Sequence, residues 1–180
     1  MQRTEDGFTL LEALVVMAVA AILAAVAIPA WSRARAAAST SSVRAELAAS
    51  IISAVNHSAI AGTEVVICPA SDSWECNGGH VWDGGWMAFA DINGDRIRDT
   101  NETLVVQTGP IDRSVHLHST SGRPRLVFQP NGSNAGSNVT FTLCDARGSD
   151  YAITLVLSNS GQLRADTPSR EAAWRCVNGG

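Results

Sequence analysis

Lysine is missing from this chain of 180 residues: all thirteen basic residues are arginine. We read that first as a bias of codon use and only second as a taste for phosphate, which the guanidinium fork suits. There is no C-x-x-C pair, no H-E-x-x-H, no G-x-S-x-G and no glycine-rich phosphate loop. The common zinc, redox, hydrolase and nucleotide signatures are therefore excluded. Internal repeats and long low-complexity tracts are absent as well; NGSNAGSN at 131–138 comes nearest and reads as a loop or hairpin turn. We expect no enzymatic activity and no obligatory cofactor.

What the chain does have is one apolar block near its start. ALVVMAVAAILAAVAI, from Ala13 to Ile28, holds no polar residue, and with Leu11, Leu10 and Phe8 it reaches about twenty residues, enough to cross a bilayer. Glu12 is the one charged residue within it. The small residues Ala24, Ala25, Val26 and Ala27 would suit the cut of a secretory signal peptide, but the leader sets Arg3 against Glu5 and Asp6, and the block exceeds an h-region. A carboxylate near the centre of a membrane helix costs about 2–3 kcal/mol, so it persists where something pairs with it.

Gly7-Phe8-Thr9-Leu10-Leu11-Glu12 before such a helix resembles the processing site of type IV prepilins and type II secretion pseudopilins. The resemblance implies that a prepilin peptidase cuts after Gly7 and methylates Phe8. It also implies that Glu12 meets the new amine of Phe8 on a neighbouring subunit, which compensates the charge and sets axial register. Pro29 falls where that family's helix usually carries a proline. The expected organisation is a leader at 1–7, a transmembrane helix at 8–29, an amphipathic helix at 30–62 with a bend at Pro29, and a β-rich head at 63–180. Arg33, Arg35 and Arg44 follow the helix while the leader is nearly neutral, so the positive-inside rule does not favour the N-in orientation. A periplasmic head, the bacterial inner membrane and its lipid, and assembly with other pilins through the N-terminal helix all rest on the resemblance.

Beyond Pro29, Val43, Leu47, Ile51, Val55 and Ala59 recur every four residues as one apolar stripe, and Gly62 supplies a stop. Strand-like runs follow at 64–68, 86–91, 103–108, 115–118, 126–129, 139–144 and 151–158. The fold class is α+β: a long N-terminal helix packed on an antiparallel head of two small sheets. VICPASDSWEC, GGWMAFADINGDRIRDTNETLVV, VFQPNG, FTLCDARG and VLSNSGQLR, in that order, resemble the GspH/FimT branch of minor pseudopilins. Four cysteines lie in the head and speak for an oxidising compartment. Cys68 with Cys76 would clip a loop and Cys144 with Cys176 would tie back the C-terminal segment, although other pairings stay open.

Four constellations compete for chemistry. Asp91, Asn93, Asp95, Asp99 and Glu102 occupy positions 1, 3, 5, 9 and 12 of a calcium loop, but position 6 is Arg96 where the loop wants glycine, and an acidic hairpin capping its own turns is the alternative. Residues 72–102 hold seven acids and two arginines, against five acids and seven arginines at 103–180. Some FimT-like pilins bind DNA through a Gly-Arg-x-Arg element; the aligned stretch here is Gly161-Gln162-Leu163-Arg164, so that resemblance carries over only Arg164. Arg123, Arg125, Arg147, Arg170 and Arg175 could join it on one face. Gly122-Arg123-Pro124-Arg125 has the letters in the wrong place. His116 and His118 share one face of a strand without a spaced third ligand, His57 lies just off the helical stripe as a solvated or hydrogen-bonded side chain, and Trp74, Trp82 and Trp86 read as packing. The reading is a minor pilin or pseudopilin of a type IV pilus or a type II secretion system, with DNA uptake as the runner-up.

Overall fold

A computed structural model describes residues 9–70 and 75–179. The expected leader, Gly7, Phe8 and Trp74 lie outside them. The chain divides into two units, Met1–Arg35 and Ala36–Gly180.

Helix α1 (Leu10–Ala61) runs through both and covers the two helical segments expected from the sequence as one element. Its start is set by Thr9, whose Oγ1 accepts the backbone N–H of Glu12 at 3.2 Å. Threonine at the cap with glutamate three residues on is the capping-box pattern, and the helix dipole favours an acid in that first turn. Pro29 sits inside the helix without ending it, and the Ser32 hydroxyl donates to the Pro29 carbonyl at 2.9 Å. In the first unit the apolar residues from Leu10 to Trp31 are exposed. By length and composition this part of the helix is apolar enough to cross a membrane, with a mean hydropathy of 2.7 over its window.

In the second unit α1 buries Ala36, Thr40, Val43, Leu47, Ser50, Ile51, Ala54 and Ser58. The expected stripe holds as far as Ile51; Val55 is half-buried and Ala59 exposed, their places taken by Ala54 and Ser58. A strict four-residue repeat drifts around a helix of 3.6 residues per turn, so the buried line must step back by one. Gly62, at φ 69°, ends the helix by donating to the Ser58 carbonyl at 3.0 Å.

Eight strands follow: β1 (Glu64–Pro69), β2 (Trp86–Asp91), β3 (Leu104–Gln107), β4 (Val115–Ser119), β5 (Leu126–Phe128), β6 (Val139–Asp145), β7 (Ile153–Leu157) and β8 (Leu163–Asp166). They form two antiparallel four-stranded sheets, ordered β3-β2-β1-β5 and β4-β6-β7-β8. Strand alternation sends Val65 and Ile67 to one side of β1, where they join Leu47 and Ile51 of α1 and Leu117, Phe141, Leu143 and Leu155 of the second sheet in the main core. Val66 and Cys68 face the other side, against Met87, Phe89 and Val127. This is the expected α+β arrangement, with both sheets contributing to one core.

Three elements lie outside that expectation. The 151–158 run opens with a 3₁₀ turn, Ser149–Tyr151, where the pattern predicts strand, and its hairpin partner is β8, which no strand pattern announces. A second helix, α2 (Arg170–Val177), is capped by Ser169, whose hydroxyl accepts the Ala172 N–H at 3.2 Å. It packs Ala173 and Cys176 beside Cys144 and Ala152.

Candidate functional site

Of the residues expected to act in processing and assembly, Glu12 is described. It stands in the first turn of α1 with its backbone held by Thr9. The amphipathic part of the same helix carries the head.

The four cysteines pair as Cys68–Cys76 and Cys144–Cys176, with Cα separations of 5.5 and 6.0 Å. The first closes the loop after β1 and the second holds α2 on β6. Each closure contributes about 2–4 kcal/mol, the longer loop more, by restricting the unfolded chain.

The acidic loop after β2 is held from within. Both oxygens of buried Asp91 accept backbone N–H groups, from Gly94 at 2.8 Å and Arg96 at 3.1 Å, and both oxygens of Glu102 do the same for Ile92 at 2.8 Å and Asp99 at 3.0 Å. Asn93 donates its amide N–H groups to the carboxylates of Asp95 and Asp99, at 3.0 and 3.1 Å, while its Oδ1 accepts the Asp95 backbone N–H at 3.1 Å. Arg96 itself takes φ 62°, the left-handed conformation that glycine would supply there.

The arginines proposed for DNA are mostly engaged by their neighbours. Arg123 donates to the Ala135 carbonyl and Arg125 to that of Arg96, both at 2.8 Å. Arg147 turns inward: its Nε and Nη2 fork onto Asp145 at 2.9 and 2.7 Å, and its guanidinium lies 4.9 Å from the centre of the Tyr151 ring. Arg175 pairs with Glu171 one helical turn away. Arg164 remains exposed on β8, 3.8 Å from Asp166, and Arg170 is exposed at the start of α2. Arg164 also lines a groove with Arg44, Ile51, Ile52 and Leu163, a pairing across α1 and β8 that sequence reading did not foresee.

Asp145 is the most consequential acid among these groups. Its side chain is fully buried, and it accepts from Thr40 Oγ1 at 2.5 Å as well as from Arg147. Burial by itself would raise its pKa, but the Arg147 side chain, the Thr40 hydroxyl and the Arg147 backbone N–H outweigh burial and hold it below the ordinary 3.8. A carboxylate depressed in the folded state stabilises the fold above the unfolded pKa, and this contribution drains away as pH falls through the folded one. Thermal melts are therefore expected to fall steeply below about pH 4 in the native protein, and Asp145→Asn to lower the melting temperature at pH 7 while flattening the acid limb. An unchanged acid limb in the variant would remove Asp145 from that role.

His116 and His118 do share a face of β4, as expected, and a third candidate ligand stands with them: Asp83, from the turn before β2. Trp82 and Trp86 are fully buried packing residues, their rings 6.3 Å apart, and the Phe141 ring meets Trp82 edge-on at 5.1 Å. His57 is half-buried on α1.

Residues 44–161 match the family described as Type II transport protein GspH, and residues 2–28 match the prokaryotic N-terminal methylation motif. No curated protein matches the chain. Among solved structures, two crystal forms of the type IV minor pilin FimU of Pseudomonas aeruginosa, strain PAO1, share its fold at 17% identity. One superposes with a TM-score of 0.52 over 78% of this chain and 92% of that one, the other with 0.50 over 70% and 91%. The minor pseudopilin EpsH from the Type 2 Secretion System of Vibrio cholerae is 12% identical over 66% of this chain and 89% of its own, with a TM-score of 0.40.

Proposed function

The chain belongs to the family of type II transport protein GspH, and from that premise we propose that it is a minor pilin or pseudopilin, a structural subunit of a type IV pilus or a type II secretion pseudopilus. The observation that carries this is the methylation motif at 2–28, which takes in the start of an apolar, unburied helix, in a chain whose head is tied by two disulfides. The first half of α1 anchors the chain in the bacterial inner membrane, with the head on the periplasmic side where disulfides form. Prepilin peptidase cuts after Gly7 and methylates Phe8, and the exposed apolar helix then packs against those of other pilins, with Glu12 answering the amine of the neighbouring Phe8. The work is structural, not catalytic.

DNA uptake is the second reading. It draws on Arg164 and Arg170, together with Arg44 in the groove beside Arg164, but Arg123, Arg125 and Arg147 are engaged within the head and Arg175 is paired with Glu171. Most of the expected set is thus engaged by the acids and carbonyls of the head, and we favour the structural reading.

Intact-mass analysis of the chain purified from membranes tests it. The expected species begins at Phe8 and carries one methyl group. A retained leader, or a cut near Ala27 that discards the apolar segment, would overturn the proposal.

A further inference from the structure

Three of the four histidines in the chain gather at one place on the head. His116 and His118 stand two residues apart on β4, hence on one side of it. The segment just before β2 is laid beside that strand by backbone hydrogen bonds: Trp82 N–H to the Leu117 carbonyl and Ser119 N–H to the His80 carbonyl, both at 2.8 Å. This pairing delivers Asp83 and His80 to the histidines of β4. One ligand atom from each of Asp83, His116 and His118 lies within 4.8 Å of the other two. The His80 ring is 6.2 Å from that of His118, which is 6.3 Å from that of His116.

Asp83 is anchored on both sides. Its Oδ1 accepts the Leu117 N–H at 2.7 Å, and its Oδ2 lies 2.6 Å from His116 Nδ1. An ion that displaces the proton shared by Asp83 Oδ2 and His116 Nδ1 meets both atoms at once, and the Leu117 N–H keeps the carboxylate in place to receive it. All four side chains are partly exposed, so an ion can reach them. His80 and His118 open onto a cavity of about 450 Å³ that Glu171 and Arg175 also line, where those two neutralise each other. Every described cysteine is in a disulfide, so no thiol competes for a soft cation.

We propose that Asp83, His116 and His118 form a binding site for a divalent transition-metal ion of the zinc type, with His80 as a fourth ligand. Imidazole nitrogen with carboxylate oxygen is a donor set that zinc accepts, and the ligands come from a rigid strand and the segment paired with it. A bound ion ties the segment before β2 to β4 and adds a third cross-link to the two disulfides. The inference does not depend on the role of the chain in a fibre.

The full chain, carrying no histidine tag and held in detergent, is titrated with zinc chloride by calorimetry and melted across the same zinc concentrations. One ion per chain is expected, with a melting temperature that climbs as zinc rises above the dissociation constant. His118→Ala, at a partly exposed position, is expected to weaken binding at least about 100-fold, beyond the usual cost of losing an orienting partner. Asp83→Asn keeps an oxygen for the Leu117 N–H and is expected to weaken it at least about 10-fold. His57→Ala, on α1, is expected to bind as the native chain does. Failure of the native chain to take up zinc, or native affinity in His118→Ala, would overturn the proposal.

Discussion

Replacing Glu12 by alanine is expected to leave the chain inserted and its head folded, yet to keep it out of the fibre. Insertion depends on an apolar run that alanine only lengthens. Assembly differs, because the proposed partner of Glu12 is the methylated amine of Phe8 on the next subunit, and in that pairing both charges would sit where water is scarce. Removing one member of such a pair costs about 3–5 kcal/mol, since the survivor is left buried and uncompensated. That weakens each subunit contact by roughly 10²- to 10³-fold or more. Glu12→Gln separates this from a second role. Glu12 also stands where a capping-box acid would, with its N–H on Thr9, and glutamine serves a capping box nearly as well as glutamate. If capping were the whole role, Glu12→Gln would assemble normally. If charge pairing governs, it fails as alanine does. The measurement is the share of the chain in sheared fibres against membranes, by immunoblot. Native incorporation of both variants would sink the pairing mechanism.

The parts of the fold legible in the sequence were those that a single segment encodes by itself. The block from Ala13 to Ile28 is long and apolar enough to cross a membrane whatever surrounds it, and the strand runs show by a continuous apolar stretch around Val66 and by alternation around Phe141. Strand β8 did not show, because Leu163 is its one inward apolar residue and the rest face solvent. Helix α2 buries two residues, Ala173 and Cys176, over eight, too few for a visible stripe. Its signals were the Ser169 cap and the Glu171 to Arg175 spacing, both weak alone. Pairing of the cysteines stayed open for a related reason: it depends on α2 reaching the end of β6, which spacing does not encode. Charge counting misled in its own way. Arg147 adds one to the basic tally of the C-terminal half, but Asp145, two residues earlier, absorbs it. The histidine cluster was half visible, since alternation pairs His116 with His118, while Asp83 arrives from 33 residues before His116 through strand pairing.

Trp86 is where the largest single loss of head stability is expected. Its ring is fully buried in the main core, and its Nε1 donates to Ser50 Oγ on α1 at 2.9 Å, so one side chain joins the first sheet to the helix. Its backbone is locked as well: Trp86 N–H donates to Thr108 Oγ1, and that hydroxyl donates back to the Trp86 carbonyl, each at 2.9 Å. Gly85 just before it has φ 95°, and a Cβ there would collide with the carbonyl oxygens of Thr108 and Gly109, so the strand cannot shift to close a hole. Trp86→Ala is therefore expected to cost about 3–5 kcal/mol, transfer and cavity together. That is at least about a fifth of the stability of an ordinary domain. Trp86→Phe keeps most of the apolar area and loses the indole N–H, while Ser50 retains its bond to the Glu46 carbonyl; a loss of about 1–2 kcal/mol is expected. Thermal unfolding of the full chain, followed by circular dichroism, reads both, and a loss below 1 kcal/mol in Trp86→Ala would mean that this contact does not hold the sheet to the helix. Because the peptidase is expected to read only the segment around Gly7, Trp86→Ala should still be cut and methylated. It should then accumulate poorly, which would place its defect in the head and not in the anchor.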